Sequence, residues 1–152
     1  CIRVPLIAAM PGTVQQGKRT RALVELTALA PTIRDCVGRP RDPGMQGRSL
    51  WPMLTDDASL ESFREDVYCE YYNSNPDKPP KWLTMVRTDR YKLIAIHGTD
   101  EGELYDLHED PDEQVNLWRR DDHRQVKTDM LLRLCSRMAW TADPLPERIG
   151  VY

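Results

Sequence analysis

The stretch that most narrows what this chain can fold into is residues 82–107, where short apolar runs and turn residues alternate at the spacing of an antiparallel sheet. Residues 82–88 and 90–96 are two runs rich in aromatic and β-branched side chains, separated by Asp89. An aspartate there can bond its own backbone and favour a turn, so the two runs read as a β-hairpin. The polar segment 97–102 supplies a second turn, and residues 103–107 place Leu104 and Leu107 around Tyr105 as a third strand. Pro111 closes the strand region, since it has no N–H to give to a ladder.

Residues 66–72 predict a further strand, with Val67, Cys69 and Tyr71 on one face and Tyr68, Glu70 and Tyr72 on the other. Pro76, Pro79 and Pro80 make residues 73–81 an exposed loop. Downstream, Val126, Met130, Leu134 and Met138 form one stripe of a helix expected over residues 123–138, which covers one face of the sheet. An irregular tail begins at Asp143-Pro144.

The first third reads differently. Residues 2–10 are a nearly continuous apolar run stopped by Pro11-Gly12, the pattern of a short strand buried on both faces. Leu23, Leu26, Ala30, Ile33 and Val37 recur at helical spacing; Pro31 belongs near the helix start, so Thr27 is the expected cap and Gly38 the stop. Residues 39–44 form a Pro/Gly linker, and residues 49–54 one helical turn before the acidic loop Thr55-Asp56-Asp57. The boundary is expected there, dividing residues 1–55 from 56–152. The fold class is therefore α+β: about four antiparallel strands packed by a C-terminal helix, preceded by a strand and a helix.

A chain of 152 residues, 40% hydrophobic and 30% charged, can bury one respectable core. The net charge of −3 argues against nucleic acid as a partner. The longest apolar stretch, residues 4–10, is far short of the ~20 residues that span a bilayer. Cys1, Cys36, Cys69 and Cys135 are scattered, with no metal-binding spacing, and are expected to be buried free thiols. His97, His108 and His123 are equally dispersed and read as surface or turn residues and not metal ligands. No phosphate loop, nucleophile elbow or His-Glu-x-x-His helix occurs. A first residue other than Met leads to the expectation that this is a piece of a longer chain.

Several strings resemble the C-terminal end of a sulfatase. They are Arg87-Thr88-Asp89-Arg90-Tyr91-Lys92, Leu104-Tyr105-Asp106-Leu107, Asp110-Pro111-Asp112-Glu113 with Asn116-Leu117, and, upstream, Ile2-Arg3-Val4-Pro5, Leu29-Ala30-Pro31-Thr32 and Gly47-Arg48-Ser49-Leu50 with Leu54. Their order is similar to that of the family over residues 2–138. The resemblance implies an alkaline-phosphatase-like α/β enzyme, with residues 1–55 the end of its large domain (strand, helix and linker) and residues 56–152 its small C-terminal subdomain.

Sulfatase chemistry uses an aldehyde hydrate made from a Cys or Ser to attack sulfur, while a divalent cation neutralises the sulfate oxygens. The family's modified residue lies in Cys/Ser-x-Pro-x-Arg, which none of the four cysteines matches. The resemblance thus implies no catalytic and no metal-ligating residue in this chain, with calcium and formylglycine expected in an N-terminal part. The partners implied are the N-terminal catalytic domain of the same enzyme and, in the whole enzyme, a sulfate ester; a homodimer through the exposed first strand is a further expectation. By itself the chain is expected to be inactive. It would shape the substrate cleft, for which Asn73, Trp82 and His97 are the candidate contacts, since binding residues often lie outside strands. The plainer reading makes residues 72–82 a solvated loop with Trp82 packed on the sheet. Arg87, Arg90 and Lys92 read as part of a charge-balanced surface, and residues 109–113, whose spacing fits no EF-hand, as a structural turn. A phosphonate or phosphate ester hydrolase and a free-standing interaction module are the alternatives.

Overall fold

A computed structural model describes residues 3–55, 63–72 and 81–142. The chain divides into two compact units, Glu65–Ala139 and Cys1–Arg64 with Trp140–Tyr152.

The Glu65–Ala139 unit is built on one sheet. Its strands β1 (Asp66–Tyr72), β2 (Trp82–Thr88), β3 (Tyr91–Ile96) and β4 (Gly102–Asp106) are neighbours in chain order and all antiparallel. The turn of the central hairpin takes two residues, Asp89 and Arg90, so β3 begins one residue later than the composition of the run suggests. Thr88 closes it: its side-chain oxygen accepts the Tyr91 N–H at 2.9 Å.

Register places Tyr68 opposite Val86, Val86 opposite Leu93 and Leu93 opposite Leu104, one apolar row across four strands. A helix of nineteen residues, α3 (Arg124–Ala142), follows a 3-10 turn at Asp121–His123. Met130 and Leu134 from α3 complete the core with Val86, Leu93 and Leu104, flanked by Val126 and Met138 as the stripe requires. Val86, Leu93 and Leu104 are each 0% exposed, and burying one such side chain favours the folded state by about 1.5–3 kcal/mol. Arg133 fastens helix to sheet, donating to Asp66 Oδ2 at 2.6 Å.

The outer border of β4 is covered without a fifth strand. The Asn116 amide donates to the Gly102 carbonyl at 3.0 Å and its oxygen accepts the Leu104 N–H at 3.1 Å, after which Leu117 N–H donates to the Leu104 carbonyl at 2.8 Å. Gly102 has no room for a side chain: a Cβ there would sit 2.6 Å from the Trp118 ring.

The other unit holds a smaller core, Ala28, Leu50, Met53 and Phe63. A 3-10 turn (Leu26–Ala28) runs into α1 (Leu29–Cys36), and α2 (Trp51–Leu54) is a single turn. Thr32 ties them, its hydroxyl donating to the Ala28 carbonyl at 2.6 Å and accepting the Leu50 N–H at 2.8 Å. Gly38, at φ 65°, ends α1 as expected: Gly38 N–H reaches the Asp35 carbonyl and Arg39 N–H the Arg34 carbonyl, the paired bonds of a glycine-terminated helix.

Three expectations are corrected in detail, and the face of α1 is settled. Residues 3–10 form neither strand nor helix, and Ile7 is 89% exposed; a strand buried on both faces needs flanking strands, and none of the four pairs with it. Thr27 does not cap α1, because the preceding 3-10 turn already supplies the Leu29 N–H with the Leu26 carbonyl, and the Thr27 hydroxyl turns to Glu25 at 3.2 Å. The apolar stripe of α1 faces outward: Leu26, Ala30, Ile33 and Val37 are exposed while Ala28, Pro31 and Thr32 are buried. The described cysteines are free thiols but not buried; Cys36 and Cys69 are half-buried and Cys135 is exposed. Cys135 follows Leu134 by one position, which carries it about 100° around the helix from the core.

Candidate functional site

The period of the pleat puts Tyr72, Trp82 and His97 on the same sheet face as the core row, at its far end. Tyr72 is the cross-strand partner of Trp82, and the His97 N–H donates to the Trp82 carbonyl at 2.9 Å, extending the β2–β3 ladder by one rung. Met138, one turn beyond Leu134 on α3, closes the fourth side. These four side chains line an open depression of about 560 Å³. Trp82 remains 56% and Tyr72 49% exposed.

Beneath the rim lies Thr84, fully buried. Its Oγ1 is 2.7 Å from His97 Nε2, and its hydroxyl points to Met138 Sδ at 3.9 Å. Of the sequence candidates, Trp82 and His97 are thus brought together, while Asn73 lies outside the described residues. Trp82 is not packed away on the sheet. Tyr72, Thr84 and Met138 escaped notice as site residues, although a two-residue turn at Asp89 and Arg90 already sets Trp82 opposite His97 and leaves Thr84 on their side.

Two half-exposed aromatic faces beside one imidazole suit the apolar C–H face and polar rim of a ring-shaped ligand. Among the described residues, the lining has no carboxylate. Among the described residues, no three His, Cys, Asp or Glu side chains gather as a metal site would need, so calcium finds no fit there. The described side chains can bind and orient a ligand.

The remaining candidates are engaged locally. His108 faces Asp89 at 3.2 Å and His123 faces Asp122 at 3.0 Å. Arg90 grips Asp106 through both carboxylate oxygens at 2.8–3.1 Å, and these bonds hold the Asp106 carboxyl below the usual carboxylate range. Lys92 pairs with Glu113 and lies over the Tyr105 ring at 5.6 Å; burial, then the Glu103 charge, pushes the Tyr105 phenol up to about 12. Arg87 lies opposite Lys92 on the sheet face away from α3. In the 109–113 turn, Asp110 accepts the Val115 N–H at 2.8 Å and Glu113 adopts φ 57°, so these carboxylates organise the chain itself.

Comparison with known proteins gives this geometry a family. A model described as N-sulphoglucosamine sulphohydrolase, C-terminal, matches residues 1–139. An N-acetylglucosamine-6-O-sulfatase of Bacteroides thetaiotaomicron is 29% identical over 133 residues, covering 86% of this chain and 24% of that protein. A protein solved in complex with its substrate D-glucosamine-2-N,6-O-disulfate superposes with a TM-score of 0.66 at 26% identity, over 81% of this chain and 25% of that one. A phosphonate monoester hydrolase from Silicibacter pomeroyi gives 0.67 at 26% identity, over 86% and 27%. The chain spans about a quarter of the length of these relatives. The four-stranded antiparallel sheet with its C-terminal helix is the arrangement shared with these structural neighbours, and the chain belongs to the sulfatase family as a C-terminal portion of the N-sulphoglucosamine sulphohydrolase type.

Proposed function

We propose that this chain is the substrate-shaping C-terminal part of a sulfuric ester hydrolase acting on a sulfated saccharide, and that it is inactive alone. Residues 56–152 are its small subdomain and residues 1–55 the end of its large one. Nucleophile and cation, a formylglycine and calcium, belong to the N-terminal catalytic part, which is also the chain's partner. The observation that carries the reading is the row Tyr72, Trp82, His97: an aromatic floor that removes the C–H face of a sugar ring from water, beside an imidazole suited to its hydroxyls. The saccharide class is supported by the relatives, one named for N-acetylglucosamine-6-O-sulfate and one solved with a glucosamine disulfate. Asn73 is carried as a further candidate substrate contact on the sequence alone.

The exposed apolar side chains of the first unit, Val4, Leu6, Ile7, Leu26, Ile33 and Val37, supply the surface on which the catalytic part docks. Self-association through residues 3–10 is the competing use of that surface. Sedimentation of the chain with and without the catalytic part decides between them, a stable homodimer that refuses the catalytic part favouring self-association. For activity, the chain alone should hydrolyse an aryl sulfate no faster than buffer. In the longer enzyme Trp82→Ala should raise KM for a sulfated glucosamine by about tenfold, the size of losing roughly 1.4 kcal/mol of contact. An enzymatic rate from the chain alone sinks the first statement, an unchanged KM the second. The likeness to a phosphonate monoester hydrolase favours one alternative, hydrolysis of a phosphonate ester; a longer enzyme that prefers phosphonate to sulfate monoesters would establish it.

A further inference from the structure

We infer that Thr84 holds His97 as the tautomer protonated at Nε2, leaving Nδ1 as a lone-pair acceptor that reads a hydroxyl or N–H donor of the ligand; the ligand clause rests on the saccharide reading above. The Thr84 hydroxyl is 0% exposed, so both its proton and its oxygen must find partners inside the protein. Two contacts are within reach, Nε2 of His97 at 2.7 Å and Sδ of Met138 at 3.9 Å. A hydroxyl proton given to Nε2 is the one hydrogen bond Thr84 then makes, since the same proton cannot also go to the sulfur. The opposite assignment makes two: Nε2–H donates to Oγ1, and the hydroxyl donates to Sδ. A buried network favours the fuller set.

The His97 N–H bond to the Trp82 carbonyl at 2.9 Å fixes the main chain from which the ring reaches Thr84. Thr84 is a positioning residue: it touches no ligand and acts through the imidazole. A lone pair at Nδ1 accepts from a neutral donor and repels an anionic oxygen. This corner therefore takes the hydroxyl-bearing flank of a sulfated sugar, and the sulfate group is held elsewhere.

Nitrogen-15 spectra of the histidine-labelled chain, recorded where imidazoles are neutral, test this directly. Long-range proton–nitrogen correlations should show His97 protonated at Nε2. Thr84→Ser should keep that pattern. Thr84→Val, which preserves the branched shape a strand prefers but removes the acceptor, should shift His97 to a mixture of tautomers. Should that variant fail to fold, Met138→Leu, which removes the sulfur, should weaken the bias in the same direction. Protonation at Nδ1 in the parent chain, or a Thr84→Val spectrum identical to it, overturns the inference. D-Glucosamine-2-N,6-O-disulfate should move the Nδ1 resonance, whereas inorganic sulfate alone should not. An equal response to inorganic sulfate overturns the donor clause. If Nε2 stays protonated and neither compound moves Nδ1, the saccharide reading has failed and the Thr84 lock has not.

Discussion

The two units of this chain solve the same problem with unequal means. In Glu65–Ala139, a single apolar row crosses four strands and meets a helix stripe of the same kind, so large side chains are completely enclosed. In the first unit, the buried apolar cluster among the described residues is four side chains, and the larger apolar side chains of residues 3–10 and α1 are exposed. The difference teaches that an amphipathic pattern announces a surface to be covered without saying what covers it. Where the cover is a neighbouring strand or helix of the same unit, pattern and burial agree; where it is not, they part.

Substitutions can break this comparison, beginning with the sheet. Leu104→Ala should cost about 3 kcal/mol by leaving a cavity in the core row, read as a fall in the urea midpoint; a loss below 1 kcal/mol would mean the row is less tightly closed than its burial indicates. Gly102→Ala should cost about 2 kcal/mol, because the new methyl meets the Trp118 ring and the Ile94 carbonyl. Its counterpart in the first unit is Gly47→Ala, whose methyl would overlap the Thr27 carbonyl. It should disturb amide exchange in α1 and α2 while the β-sheet amides keep their protection, and loss of protection in the sheet would show the units to be one cooperative body.

Acid provides a subtler probe. Asp106 has a depressed value in the folded chain, so its contribution is fully present above the ordinary aspartate value near 3.9 and is lost as pH falls through the folded one. Asp106→Asn should flatten the fall in stability below about pH 4, and parallel curves for the two proteins would show that its pairing with Arg90 contributes nothing. The smallest effect belongs to Trp82→Ala, which should change stability by less than about 0.5 kcal/mol because the ring is more than half exposed. A large loss there would make Trp82 a packing residue and remove it from the site.

Much of the sheet was legible in the chain. β2 has the bounds its composition suggests, β1 alternates as read, and the α3 stripe is the core stripe. The departures have physical causes. Arg90 belongs to the turn because Thr88 closes it and Asp106 fixes the guanidinium. The direction of the α1 stripe was not legible, because helical spacing is the same for a buried face and an uncovered one. At the site, Trp82 and His97 are fifteen positions apart and meet through register alone, and Thr84 and Met138 drew no attention because a threonine in a strand and a methionine on a stripe usually have structural work. The pairing of Trp82 with His97 follows only once Arg90 is counted in the turn, which the composition of the run does not show.

One consequence follows from the way Asn116 stands in for a missing strand. With its amide filling the Gly102 and Leu104 positions, that border is sealed against recruitment of another polypeptide, a hazard for exposed sheets. At the opposite border, β1 has no fifth strand among the described residues. Replacing Asn116 would leave the Gly102 carbonyl and the Leu104 N–H free to pair with another chain.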